Sequence, residues 1–420
     1  MTHESELRPE PLPYRVWGRQ YIDQSSLDQM DAAMRLPVSV AGALMPDAHV
    51  GYGLPIGGVL ATEGVVIPYA VGVDIACRMR LSVFPLSPKI LKQQPGKFEK
   101  ALTEGTLFGA GGEYSRDERA DHDVLDDPAW DATGLLRSLK DKAYAQLGTS
   151  GSGNHFVEWG VLTLTRAAPE LSLDVGEYLA LLSHSGSRGV GYTIADAYSR
   201  LAMEQHPGLD RSVKHLAWLP LDSEAGQEYW QSMELAGRFA SACHYIIHQR
   251  VSRIAGVKPV AVVENHHNYA WKETIPAPKG YHTPQREVIV HRKGATPAGK
   301  GVLGVIPGSM TAPGYVVRGR GLDEAINSAA HGAGRQLSRR AAKESITRSE
   351  LRRYLETHGV KLIGGDLDEA PQAYKDIESV MAAQADLVEV AARFEPRLVR
   401  MDDGSKGPRH KSDRRRKKRR

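Results

Sequence analysis

Short apolar runs in VSVAGALMPDAHVGYGLPIGGVLAT (residues 38–62) and VVIPYAVGVDIACRMRLSVF (65–84) are cut by glycine or proline every few residues, and the second stretch ends in apolar–polar alternation. Runs this short and this often broken do not make helices, and the closing alternation is that of a strand with one buried face. Strands and loops are therefore expected here.

Outward from this region, apolar residues recur at helical spacing over 86–104, over 134–146 and, at greatest length, over 223–254, a run bounded by proline and glycine. EYLALLSHSGSRGVG (177–191) reads as helix or strand, with a helix from about 192. Strand-like segments follow at KPVAVVENHHNYAW (258–271), REVIVHRKGAT (286–296) and GVLGVIPGSM (301–310). Helices are expected around 322–341, 347–357 and 371–384, and EYSRDERADHDVLDDP (113–128) as an exposed loop. Without βαβ regularity, an internal repeat or a long linker, the expected fold class is α+β, with one catalytic domain over 1–405. Residues 406–420 offer no apolar anchor and are expected to be a disordered basic tail.

With 420 residues, 41% hydrophobic and 25% charged, the composition is that of a soluble enzyme. No run approaches the ~18 apolar residues of a membrane span, and the opening residues lack the apolar core of a signal peptide, so a cytoplasmic location is expected. Two cysteines, Cys77 and Cys243, exclude a disulfide framework. The formal charge of +4 conceals a division: residues 406–420 hold ten basic residues against one acid, and the rest of the chain is acidic, at about −5.

Of 16 histidines, His49, His155, His184, His267, His291 and His331 lie beside glycine, asparagine or aspartate in strand-to-loop settings, where packing is a poor explanation. Asp74 and Cys77 are three apart in VGVDIAC. Carboxylate, thiolate and imidazole together suit Mn²⁺, Zn²⁺ or Fe²⁺ better than Mg²⁺ or Ca²⁺, although each residue alone also reads as an ordinary buried or hydrogen-bonded side chain. SHSGSRG, HRKG and HGAGR set Arg188, Lys293 and Arg335 near small-residue turns able to face phosphate; none is a Walker or GxGxxG motif. His331, in a helix-like stretch with Arg335 one turn on, is a candidate nucleophile toward phosphorus. His244 and His248 flank a metal-like spacing beside Cys243, but their long apolar helix argues for packing.

The combination PDAHVGYGLPIGGV, VGVDIACRM, GSGNHFVEWG, SHSGSRGVG, ENHHNYA, HRKGATPA, IPGSM and SAAHGAGR, in that order over about 47–335, with DEAPQAYKDI at 368–377, resembles the RtcB family of GTP-dependent RNA ligases. The resemblance implies a sheet-based domain with a central metal and nucleotide cleft and peripheral helices. It implies joining of RNA ending in a 2′,3′-cyclic phosphate or 3′-phosphate to RNA with a 5′-hydroxyl, through a GMP-histidine intermediate and RNA-ppG, with GTP as co-substrate and two Mn²⁺ ions. By position, Asp74, Cys77, His155, His184 and His267 are the implied metal ligands and His331 the guanylylated histidine. The implied guanylate pocket draws on Asn154, His155, Phe156, Val157, Glu158, His267, Asn268, Pro307, Gly308, Ser309, Met310, His331, Gly332, Ala333 and Gly334. Arg188, Lys293 and Arg335 are candidates for holding phosphates, and Asp47 for orienting His331. An archease-type activator is a further implied partner.

The chain departs from the family pattern at three places. Ala76 and Arg78 stand where glycines are usual, Gly314 stands where a serine commonly helps to bind the nucleotide, and the usual terminal Lys-Gly gives way to the basic tail. These differences suggest a divergent paralogue, for RNA repair and not for tRNA splicing, whose tail binds RNA phosphates or is a flexible solubilising or subunit-contact tail. The competing readings are a metal-dependent cyclic phosphodiesterase or phosphatase that does not ligate, and a non-catalytic RNA-binding repair subunit.

Overall fold

In the computed structural model, which describes residues 6–277 and 284–404, two curved sheets carry the chain and helices cover their outer faces. The larger sheet has eight strands; its path runs Leu303–Ile306, Gly314–Gly319, Val388–Met401, Phe156–Leu164, Gly176–Ser185, Arg78–Phe84, Ala261–His266, and Lys361–Ile363 adds to Val388–Met401. Its end strands nearly meet. The Asn265 side chain accepts from the Val305 backbone N–H at 2.8 Å and donates to the Thr296 hydroxyl at 2.8 Å, bridging the first strand of the path to the last. The five-stranded sheet runs Arg15–Val16, Ser39–His49, Ile56–Thr62, Gln285–Lys293, Asn268–Pro276. This is the α+β class expected from the sequence.

Register places the candidate residues at one end of the large sheet. His184 lies opposite both Met79 and Phe156, and Arg78 opposite His266, so Cys77, His155 and His267 fall just beyond the ends of three strands around His184. The backbone N–H of His267 donates to the Cys77 carbonyl at 3.0 Å, which fixes two of these ends against each other.

The helix expected at 223–254 spans Glu224–Ala255, started by the Ser223 side chain on the Gly226 N–H and stopped at Gly256 in the left-handed conformation. Its buried face includes Phe239, Cys243, His244, Ile247, His248 and Val251. His244 and His248 share the Ser183 hydroxyl at 2.6 and 2.8 Å, and His248 also meets Ser82 at 2.8 Å. Serine hydroxyls hold both rings in the packed face of this helix, and His244 Nε2 has no hydrogen-bond partner among the described residues.

The region 322–341 is not the helix its alanine content predicts. Asp323–Ala325 is a single tight turn, Ser328–Ala330 is a strand paired to Ala295–Pro297, and helix resumes only at Arg339–Ser345. Ile326 and Asn327 both adopt positive φ, which ends any helix there. Gly334 also has positive φ, and a Cβ on it would come within 2.1 Å of the Asp47 carbonyl oxygen, so the loop can close on Asp47 only with glycine at this position. Helical propensity is overridden by strand pairing and this approach.

The expected tail lies outside the described residues. Among those described, no helix is long and apolar enough to cross a membrane.

Candidate functional site

Five buried or half-buried donors converge where the strand ends meet. Cys77 Sγ lies 3.1 Å from His184 Nε2 and 3.6 Å from His155 Nε2, and His184 Nε2 lies 3.3 Å from His267 Nε2. Asp74 Oδ2 is 3.1 Å from His155 Nε2. Two candidate metal-holding groups result, Cys77–His184–His267 and Asp74–Cys77–His155, with the thiol common to both.

These residues fit a divalent cation. His184 Nδ1 faces the Asn154 carbonyl at 3.0 Å, which can only accept, so Nδ1 carries the proton and Nε2 presents a lone pair toward Cys77 and His267. Burial drives the His184 and His267 imidazoles well below their ordinary pKa, so they are neutral donors. Burial, reinforced by Asp74, pushes the Cys77 thiol well up, so a thiolate there needs a cation beside it. Burial works against ionisation of Asp74 as well, but His155 and then Arg188 hold its carboxyl below the usual range. The buried Nδ1 atoms of His155 and His267 have no hydrogen-bond partner among the described residues.

His331 stands next to this cluster, its ring 4.8 Å from that of His267. Asp47 is fully buried; its Oδ2 accepts from His331 Nδ1 at 2.7 Å and from the backbone N–H groups of His331 and Gly332 at 3.1 and 3.3 Å. Nδ1 is thereby the protonated nitrogen and Nε2 the free one. Sequence reasoning gave no role to Lys375, whose ammonium donates to the Ala48 and Pro46 carbonyls at 2.6 and 3.3 Å and so ties down both neighbours of Asp47. Its position in DEAPQAYKDI was the available signal.

Other candidate residues surround the two histidine groups. Asn268 accepts from the Gly294 N–H at 2.8 Å and donates to the Asp74 carbonyl at 3.2 Å, knitting the Asp74 loop to HRKG. A Cβ on Gly294 would lie 3.2 Å from His331 Cε1, and one on Gly332 3.4 Å from the Pro307 carbonyl, so HRKG and IPGSM both border His331. In IPGSM, the Ser309 hydroxyl accepts from the Ala312 N–H at 3.3 Å, shaping the turn that follows Gly308. Phe156 packs with Met310 in one apolar cluster and lies 5.7 Å, ring to ring, from His184. Glu158 is buried, and desolvation raises its pKa well above the carboxylate range. Lys293 donates to the Tyr52 carbonyl, and burial lowers its pKa to about 7. Arg188, at positive φ, donates to the Thr149 hydroxyl at 3.1 Å and the Gly109 carbonyl at 2.6 Å.

Some residues fall elsewhere. Val157 and Ala333 bury their side chains in apolar clusters, leaving only backbone atoms for a ligand. Gly314 begins a strand opposite Phe394. Arg335 is not one helical turn from His331, since no helix spans them; its guanidinium is taken by Glu369 at 3.1 Å, the Tyr374 hydroxyl at 3.3 Å and the Asp368 carbonyl at 2.6 Å. Where glycines are usual, Ala76 keeps positive φ, and Arg78 pairs with Glu264 and donates to the Gly237 carbonyl at 2.9 Å, pointing into the protein.

A family model described as tRNA-splicing ligase RtcB matches residues 29–402. The chain is 32% identical over 411 residues to the RNA-splicing ligase RtcB of Escherichia coli strain K12, covering 91% of this chain and 96% of that one. It is 32% identical over 462 residues to the tRNA-splicing ligase RtcB of Nanoarchaeum equitans, covering 92% and 95%. Identity to the RNA-splicing ligase RtcB of Mycobacterium tuberculosis is 32% over 422 residues, covering 85% and 95%.

Proposed function

The chain belongs to the RtcB family, and on that premise we propose that it is an RNA ligase joining 3′-phosphate or 2′,3′-cyclic phosphate ends to 5′-hydroxyl ends, with GTP as co-substrate. The observation that carries this reading is the Asp47–His331 pair set against the thiol–imidazole cluster. A metal-dependent hydrolase needs the cluster but no nucleophilic histidine.

Asp74, Cys77, His155, His184 and His267 would hold two divalent cations, Mn²⁺ being the one the family resemblance implies among the Mn²⁺, Zn²⁺ and Fe²⁺ that suit an oxygen, sulfur and nitrogen donor set. Bound there, the ions supply Lewis-acid neutralisation of phosphate charge. His331 Nε2 attacks the α-phosphorus of GTP; the bond to the β-phosphate oxygen breaks, and pyrophosphate leaves. Asp47 keeps the Nδ1 proton and stabilises the positive charge that the ring gains. Lys293 and Arg188 are the cations that would meet the phosphates. An oxygen of the RNA 3′-phosphate then attacks the phosphorus bound to His331, the P–N bond breaks, and RNA-ppG forms. The 5′-hydroxyl oxygen attacks the RNA phosphorus, loses its proton and displaces GMP, leaving a phosphodiester. Asn154, Phe156, Glu158, Asn268 and the Pro307–Met310 turn form the guanylate pocket. A cytoplasmic location, an archease-type activator and a part for the basic tail in holding RNA complete the reading.

The test is incubation with α-labelled GTP and Mn²⁺ beside a His331→Ala variant. Acid-labile label on the protein, lost in the variant, supports nucleotidyl transfer. No label, with ATP, other metals and an activator also tried, turns the reading toward a hydrolase or a non-catalytic RNA-binding subunit.

A further inference from the structure

Beside the site lies a group of aromatic rings that the proposed chemistry does not use. The loop Val50–Gly53 joins the strands Ser39–His49 and Ile56–Thr62, and its backbone is fixed at three points. The Gln29 amide exchanges two hydrogen bonds with Gly51, at 2.5 and 3.0 Å. Lys293 donates to the Tyr52 carbonyl. Gly53 packs so closely on the 215–216 backbone that a Cβ there would lie 3.2 Å from the His215 carbonyl. Yet this anchored loop holds the Tyr52 ring 71% exposed, and its hydroxyl has no hydrogen-bond partner among the described residues. An aromatic ring kept in water on a pinned backbone contributes nothing to the core.

Tyr52 is not alone. His215 meets the Tyr52 ring edge-on at 6.3 Å and the Tyr69 ring at 4.9 Å. Tyr192 is 58% exposed on the helix Arg188–Gln205 and close enough to Tyr69 to bear on it electrostatically. The short helix carrying Tyr69 packs on both that helix and the turn Lys214–Leu216. Lys214, exposed, and Lys293, buried, are the basic groups that bear on His215. Arg200 is neutralised by Asp196 at 2.8 Å. The rim is therefore aromatic and locally cationic on a body that is acidic apart from its tail. It is also continuous with the site: Tyr52 touches Lys293, and the next residue, Gly294, borders His331.

We propose that Tyr52 and Tyr192, braced by Tyr69 and His215, form a stacking platform for the bases of single-stranded RNA next to the reacting end. The proposal rests on the ligase reading and deepens it. Every base has a π-face, so such a platform holds RNA without regard to sequence, while Lys214 and Lys293 meet the backbone. Joining different broken ends requires that kind of tolerance.

The test is the affinity of the full chain for a short single-stranded RNA with a 3′-phosphate, measured by fluorescence anisotropy at fixed salt. Tyr52→Ala and Tyr192→Ala are each expected to weaken binding about 5- to 150-fold, the effect of losing one stacked base, whereas Tyr52→Phe keeps wild-type affinity. An oligonucleotide with abasic residues beside the 3′-phosphate is expected to bind wild type and Tyr52→Ala alike. Equal affinity of all proteins for the intact RNA overturns the platform and leaves the ligase reading standing, to be judged by GTP labelling. A Tyr52→Ala defect that persists on the abasic strand overturns stacking as its cause. A wild-type chain that binds no RNA overturns both. Thermal melts of each variant separate lost binding from lost fold.

Discussion

Asp47 Oδ2 accepts three hydrogen bonds, from His331 Nδ1 at 2.7 Å and from the backbone N–H groups of His331 and Gly332. One carboxylate oxygen thus fixes the ring's tautomer and the chain on which the ring is mounted. Gly334 at positive φ lets the loop close on the Asp47 backbone, and Lys375 holds the carbonyls on either side of Asp47. The histidine is aimed by parts of the chain nearly 300 residues apart in sequence.

Asp47→Asn keeps the size of the side chain but removes the charge that balances a ring acquiring positive charge. Self-labelling by GTP is expected to slow by about 10- to 100-fold with little change in melting temperature. Normal labelling kinetics in Asp47→Asn would remove the orienting role.

The cluster around Cys77 predicts metal-linked stability. Mn²⁺ at about 100 times its dissociation constant is expected to stabilise the wild type by about 2.7 kcal/mol, read as a rise in melting temperature. Cys77→Ala, which removes the donor common to both groups, should abolish most of that rise and the bound metal measured by elemental analysis. An undiminished shift in the variant would place the ion elsewhere.

Burial lowers Lys293 to about 7, below the ordinary lysine value of 10.5. The folded state therefore holds fewer protons than the unfolded one between about pH 7 and 10.5, and this group's contribution makes stability rise with pH across that window. A phosphate beside Lys293 favours the charged form, so GTP binding at pH 8 should take up a proton. Calorimetry in two buffers of different ionisation enthalpy measures that uptake, and Lys293→Met should reduce it. Identical heats in both buffers with the wild type would exclude Lys293 as a phosphate contact.

The sheet-and-loop core was legible in the sequence because its signals are local: alternation in RMRLSVF, glycine and proline between short runs, and capped helical periodicity at 223–254. The conjunction of Asp74, Cys77 and the histidines was legible as chemistry, from residue types beside small-residue turns. What local patterns could not convey was pairing at a distance. SAAHGAGR looks helical because alanine is the best helix former, but its strand pairs with Ala295–Pro297 and its glycine meets Asp47. Arg78 looks like a charge placed in a metal loop, and only the fold reveals Glu264 beside it. Lys375 gave no periodic or compositional sign of its contact with the Pro46 and Ala48 carbonyls on either side of Asp47.

Arg335 is where a sequence expectation and the geometry make opposite predictions. Its guanidinium lies against the almost fully buried Glu369 and over the Tyr374 ring, with further bonds to the Asp368 and Leu337 carbonyls. Removing it leaves the buried Glu369 carboxylate to Arg339, at 2.5 Å, and to the Tyr374 hydroxyl, and strands two carbonyls. Arg335→Ala should therefore destabilise the fold by about 2–4 kcal/mol, a loss that arises because one partner of a buried pair is left behind. Lysine cannot restore it, because an ammonium cannot reproduce the planar fork that meets these acceptors together. Below the variant's lowered melting temperature, the GTP concentration needed for half-maximal labelling should stay close to that of the wild type. A phosphate-holding Arg335 would reverse the pattern, raising that concentration at least tenfold while leaving the denaturation midpoint in place; urea melts and labelling titrations on the same preparations decide between the two.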